Sequence, residues 1–401
     1  MRRMILLLPF LLGADWPQWL GPTRDCRSPE TIKPWGKDGL KTLWKQPVGA
    51  GHSSPIIVGG KVYLHTQDGK DEAECLRAFD AKSGEPLWKT SYKRGKFSSL
   101  FGNGPQATPA YHDGKVFTFG VTGLLTAFDA GKGGQVWQAD TEKDLKAKRL
   151  YFGAACSPLV EDGKVVLSIG GKGTGVVAFD AAKGGVAWKS LDDGASYSSG
   201  IAVGKGEQRQ LVFLTQDGVR GLSPKDGAKA WGYAFKDGLN EASVTPVASD
   251  GFLLASSIKG GAVGLAVDGK SATEKWKNKE LTGYFSTPII LGKHAYLVTC
   301  KLSFLPESTL HCLDLETGKP TWSKAGAGTF HAAMLRTADD KLLLLSDFGE
   351  LVLFQPDPKE YKELSRSRVT KVRSIWAHPA LSGGRIYIRD DKELICLAAP
   401  E

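Results

Sequence analysis

The chain has 401 residues, 41% of them hydrophobic and 24% charged, with 49 Gly and a formal net charge of +9. That composition belongs to a folded chain with many tight turns and excludes a disordered or collagen-like one. The lysines are scattered beside turn glycines, as in Gly60-Lys61, Gly114-Lys115 and Gly163-Lys164, without a basic groove interleaved with stacking aromatics, so no nucleic-acid partner is expected.

The N-terminus reads as a signal peptide over residues 1–14. Arg2 and Arg3 precede the apolar run Met4 to Leu12, which Pro9 interrupts, and Gly13-Ala14 offers small residues for cleavage before Asp15. Leu12 at the −3 position departs from the usual small residue. The run is too short to span a bilayer, so no transmembrane segment is expected. Export follows, to a periplasmic or extracellular site. No Cys follows the apolar run directly, which argues against a lipid anchor at the cleavage site. The six cysteines (26, 75, 156, 300, 312 and 396) match no zinc or redox spacing. Cys312 and Cys396 fall where the repeat described next mostly has Ala, and read as small buried residues. Cys300 and Cys312 flank one hairpin and are the candidate disulfide pair.

Beyond an N-terminal extension over residues 15–39, one pattern recurs. It reads Ala78-Phe79-Asp80-Ala81-Lys82-Ser83-Gly84-Glu85-Pro86-Leu87-Trp88, and returns around Asp129 and Trp137, Asp180 and Trp188, Ser223 and Trp231, Asp268 and Trp276, and Asp314 and Trp322. An apolar strand ends at Asp, whose carboxylate closes a turn on nearby amides. Gly then supplies a positive φ, and the next strand brings Trp, a surface that needs a neighbour to bury it. From Trp44 onward, successive Trp spacings are 44, 49, 51, 43, 45 and 46 residues, the length of one four-stranded blade.

Each unit opens on a small hydroxyl residue, mostly followed by Pro: Ser54-Pro55, Thr108-Pro109, Ser157-Pro158, Thr245-Pro246 and Thr287-Pro288. The unit at Ser199 lacks the Pro, and the last two units place His331 and His378 at the hydroxyl position. Counting these entries gives eight blades over residues 40–401. The seventh unit degenerates at Gln355 and Glu363. The eighth ends at Leu394-Ile395-Cys396-Leu397 without a Trp strand, while Leu43 to Val48 stands unused at the other end. The expected fold is therefore an all-β, eight-bladed propeller, a monomeric ring whose N-terminal strand closes the last blade and leaves no open edge.

These copies resemble the tryptophan-docking repeats of the pyrroloquinoline-quinone (PQQ) propeller superfamily, over nearly the whole chain. The segment Trp16-Pro17-Gln18-Trp19-Leu20-Gly21-Pro22 also resembles the start of exported PQQ-like propellers, with Leu20 where Arg is usual and Cys26 where Gly is usual. The resemblance implies one of two roles. One is non-catalytic scaffolding, as in BamB-like outer-membrane assembly factors. The other is PQQ-dependent oxidation with a calcium or lanthanide ion, acidic and amide ligands and often adjacent cysteines. This chain has no Cys-Cys pair, and Asn240-Glu241 is its one suggestive ligand pair.

Propellers bind on the face reached by the entry loops and by the loops joining second and third strands. The candidate binding residues on the entry loops are His52, Asn103, Gln106, Tyr197, Asn240, Glu241, Tyr284, His331, Trp376 and His378, a polar-aromatic mixture suited to a site. The second set of loops adds Asp68, Asp217, Phe304, Asp347, Arg389 and Asp390. His331 and His378 lie in adjacent blades, and His52 lies two residues before the equivalent position in the next. Three imidazoles are thus expected near the axis, as a metal or catalytic cluster or as loop-bonded histidines. The reading favoured is a non-catalytic binding or scaffolding propeller for a protein or small-molecule partner on this face. The alternatives are a PQQ-dependent dehydrogenase and a metal-assisted enzyme using the histidines.

Overall fold

A computed structural model describes residues 14–69, 72–371 and 375–401. The expected signal peptide therefore lies outside the described residues apart from Ala14, and no described helix is long and apolar enough to cross a membrane.

The described strands form eight four-stranded antiparallel sheets, each built from consecutive strands except the last. Blade one comprises Ile56–Val58, Lys61–Gln67, Ala73–Asp80 and Pro86–Lys93. Blade eight comprises Ala380–Leu381, Arg385–Arg389 and Glu393–Ala398, with Thr42–Pro47 as its outer strand. In that closure Trp44 pairs with Cys396, Lys45 with Ile395 and Gln46 with Leu394. In blade one the second and third strands are almost wholly buried, polar His65, Thr66, Gln67 and Glu74 included, whereas the outer strand is mostly exposed.

The repeat's residues act between blades. Asp80 accepts the backbone N–H groups of Lys82 and Ser83, and Asp129 those of Gly131 and Lys132. These bonds hold the Asp80 carboxyl below the usual range. The turn so formed presents a bare glycine to the preceding blade's tryptophan. A Cβ on Gly318 would stand 2.2 Å from the Trp276 ring, and one on Gly133 2.4 Å from Trp88. Several indole N–H groups then donate to the neighbouring turn, Trp276 to Leu315 O at 2.7 Å and Trp322 to Asp357 O at 2.7 Å. Trp188, Trp231 and Trp276 are buried; Trp88, Trp137 and Trp322 are half-buried, because the outer strand leaves one ring edge wet.

Opposite each Trp the third strand carries a small residue: Ala78, Ala127 and Ala178, then Gly221, Gly264 and Cys312, with Cys396 opposite Trp44. All six cysteines are free and buried. The candidate Cys300–Cys312 disulfide is thus not formed. Cys300 pairs across the sheet with Ser308 while Cys312 pairs with Tyr296, four residues along the ladder. Blade seven has no tryptophan on its outer strand. There Ser365 bonds both the N–H and the carbonyl of Trp35, whose ring packs on the core shared by blades seven and eight.

The hydroxyl at each blade entry has a matching task. The His378 N–H donates to Ser54 Oγ at 2.8 Å, Ser54 N–H to Thr108 Oγ1 at 3.0 Å, Thr108 N–H to Ser157 Oγ at 3.0 Å, and Ser157 N–H to Ser199 Oγ at 2.9 Å. This relay stitches blades eight, one, two, three and four around the axis.

Candidate functional site

The N-terminal extension builds the floor of the site. Trp16 exchanges two backbone bonds with Ile57 of the inner strand of blade one, and Pro17 O accepts from Tyr111 of blade two. Trp19 Nε1 donates to Thr245 Oγ1 of blade five at 3.0 Å. Arg24, buried, donates to Pro158 O and Ser157 O at the entry to blade three. Cys26 O then accepts from Arg336 of blade seven, and Ser28 Oγ donates to Leu381 O of blade eight. A segment touching the inner ends of six blades crosses the central channel and plugs it. Burial lowers the Arg24 pKa to about 10, and the carbonyls it meets explain how the charge is tolerated.

Above this plug lies a cup of about 240 Å³ on the entry-loop face. Trp19 is in its lining, together with His52, Gln106, Tyr197, Glu241, Tyr284 and Trp376, all but Trp19 expected from the sequence. Aromatic contacts make the wall continuous. Phe101 lies 5.5 Å from Phe152 and 6.4 Å from Trp376, Phe285 lies edge-on to Trp376 at 5.0 Å, and Tyr284 stacks on Phe285 at 3.7 Å. Glu241 Oε2 accepts the Tyr284 hydroxyl at 2.5 Å, and burial with that bond raises the Tyr284 pKa. The Tyr197 hydroxyl accepts the Phe152 N–H, and burial above all pushes its pKa up to about 12.

The other expected residues fall elsewhere. The Asn103 side chain accepts the Ser99 N–H and shapes its own loop. Asn240 is exposed, at φ 59°, outside the cup. The second-strand loops serve the scaffold. Asp347 accepts the N–H groups of Thr329 and Phe330, Asp217 that of Gly194, and Arg389 donates to Ser53 O and Gly49 O.

The histidines do gather, but around indoles. His331 stacks on Trp376, His52 lies tilted at 5.5 Å on the same ring, and His378 meets the edge of Trp19 at 4.7 Å. Burial lowers His52 and His378 to about 3 and His331 to about 4, so all three are neutral at pH 7. Among the described residues no group of three or more His, Cys, Asp or Glu is placed to hold a metal ion.

The dehydrogenase cofactor fits no better. PQQ is polyanionic, and its ion needs several oxygen ligands. Among the described residues the cup offers one carboxylate, no Lys or Arg, and no Asn240 beside Glu241.

Sequence reasoning placed Phe285 on an entry loop beside Tyr284 but missed Trp19, Phe101, Phe152, Phe330 and Leu302. The pair Trp16 and Trp19 in a Gly-Pro-rich stretch was the available signal, since an isolated segment has nothing of its own to bury two indoles against. Around the mouth, apolar side chains stand in solvent: Leu100 is 89% exposed, Tyr151 73%, Phe304 99% and Leu305 79%. They come from three separate top-face loops, which also supply the lining residues Phe101, Phe152 and Leu302.

A family model described as outer membrane protein assembly factor BamB matches residues 72–324. No curated protein matches in sequence. Among solved structures, quinohemoprotein alcohol dehydrogenase from Comamonas testosteroni is similar with a TM-score of 0.71 at 14% identity, over 96% of this chain and 80% of that one. A europium-containing methanol dehydrogenase has a TM-score of 0.68 at 13% identity, over 95% and 89% of the two chains. BamB from Moraxella catarrhalis has a TM-score of 0.64 at 14% identity, over 90% and 98%. At these identities the likeness shows the fold alone. The family model spans more than half of the residues, and the chain belongs to the family of the outer membrane protein assembly factor BamB.

Proposed function

We propose that this chain is an exported, non-catalytic binding propeller that holds a partner on its entry-loop face. The axial cup takes an apolar or ring-bearing group of that partner, a small molecule or a side chain of a larger one. The observation that carries this reading is the cup itself: a concave aromatic wall, closed below by the N-terminal plug and rimmed above by exposed apolar side chains. Large apolar groups held in water around a preformed pocket mark a contact surface. Membership of the BamB family supports scaffolding, and the apolar N-terminal run supports export.

The competing reading, PQQ-dependent oxidation, is favoured by the dehydrogenase-like fold and opposed by the chemistry of the lining. Purified protein mixed with PQQ and calcium or a lanthanide, then assayed for alcohol-dependent dye reduction, decides between them. The expected result is neither retained cofactor nor turnover. Turnover that disappears in Glu241→Gln would overturn the proposal.

A further inference from the structure

We infer that the axial cup selects an organic cation, an alkylammonium or guanidinium group, over neutral and anionic ligands of the same shape. This rests on the binding reading above and concerns what the cup takes.

The first ground is charge. Glu241 is the one charged side chain in the described lining of a chain whose net charge is +9. Its Oε2 accepts the Tyr284 hydroxyl, and no described Lys or Arg forms an ion pair with it. This half-buried carboxylate has no described counter-charge, and a bound cation would supply one.

The second ground is the wall. Ring faces carry negative potential and attract a cation within about 6 Å of their centroids. Tyr284, Phe285, Phe101 and Trp376 stand in mutual contact around the cup, with centroid separations from 3.7 to 6.4 Å. They come from the entry loops of three blades: Phe101 before blade two, Tyr284 and Phe285 before blade six, and Trp376 before blade eight. An alkylated ammonium sheds its weak hydration cheaply and gains contact with the aromatic lining.

The third ground is that no described lining residue carries a positive charge that would compete with a ligand cation. Burial keeps His52, His331 and His378 neutral. The two buried arginines nearby, Arg24 and Arg389, lie outside the described lining, and their guanidinium groups donate to main-chain carbonyls. An anion entering the cup meets Glu241 and ring faces; a neutral ligand gains packing alone.

The test is calorimetric titration of the full chain with choline, with its neutral carbon isostere 3,3-dimethylbutan-1-ol, and with benzoate. Choline is expected to bind at least about tenfold more tightly than either. Glu241→Gln should reduce that preference severalfold and Trp376→Ala should weaken choline more than the isostere, with thermal melts confirming that both variants fold. A trimethyllysine peptide that binds more tightly than choline assigns the cation to a polypeptide, and the reverse order assigns it to a free small molecule. Equal binding of choline and the isostere, or an unchanged preference in Glu241→Gln, overturns the cation inference and leaves the binding reading intact. Preference for benzoate does the same. Failure of every probe to bind would count against both.

Discussion

The imidazole of His331 lies flat against the indole of Trp376, with ring centroids 5.0 Å apart and planes within 12° of parallel. His331 occupies the entry position that carries a hydroxyl in most blades, and its Nδ1 has no hydrogen-bond partner. Where Ser54, Thr108, Ser157 and Ser199 link blade to blade, His331 backs Trp376 in the wall of the cup. A packing role has replaced a hydrogen-bonding one at the same place in the repeat.

If Trp376 is what seals His331 from water, Trp376→Ala should raise the His331 pKa from about 4 towards the ordinary imidazole value. Burial causes the depression, with Asp347 opposing it, so admitting solvent relaxes it. Titration of the ring by NMR reads this directly. An unchanged value would mean that other groups seal the ring.

The same burial sets a pH dependence. His52 and His378 are lowered to about 3 and His331 to about 4 in the folded chain, against 6.5 when exposed. Their contribution to stability is fully present above pH 6.5 and is lost as pH falls towards 4 and below, because the unfolded chain binds protons that the folded one refuses. Each group contributes up to about 1.4 kcal/mol per pH unit in that window. Urea melts at pH 7, 5.5 and 4.5 should show falling stability with proton uptake on unfolding. A flat profile would contradict the burial of these rings.

Between blades, Trp276→Ala should cost about 3–5 kcal/mol, since the ring is 9% exposed and also loses its bond to Leu315 O. Trp137→Ala should cost less, because that ring is half-buried. Gly318→Ala should destabilise from the other side of the same contact. Its φ is +67°, and the new Cβ would collide with the Trp276 ring. Chemical denaturation of the three variants checks the order, and a Gly318→Ala protein as stable as the parent would contradict the contact.

The plug should be part of the folded ring rather than a loose tail. Arg24→Ala strands the carbonyls of Ser157 and Pro158 and opens a void, with an expected cost of about 2–4 kcal/mol. Limited proteolysis should then cut within residues 16–28 before any blade. Early cleavage in a blade turn, with the plug still protected, would show that Arg24 does not hold it.

The blade count and closure were legible because their cause is repeated. Asp80, Gly84 and Trp88 recur in phase, and Trp44 could be assigned to blade eight because that unit lacked its own Trp strand. The convergence of His52, His331 and His378 was legible from phase as well. Their use was not, because phase places a Cα near the axis without saying that Trp376 and Trp19 will lie against the rings. Phe101, Phe152 and Phe330 stood in entry loops that share no register. The path of residues 16–28 across the channel depends on contacts with six blades at once, which no local pattern encodes. Ser365 in place of a blade-seven tryptophan, with Trp35 packed there from the N-terminal segment, was hidden for the same reason.

The most direct test of the cup as the ligand site is a crystallographic soak of the full chain with a panel of small aromatic, aliphatic and cationic fragments. The account predicts that fragments collect in the cup above Trp19, against Trp376 and Tyr284, and that Trp376→Ala crystals lose them. Fragments bound reproducibly at other surfaces, with none in the cup at millimolar concentration, would contradict it.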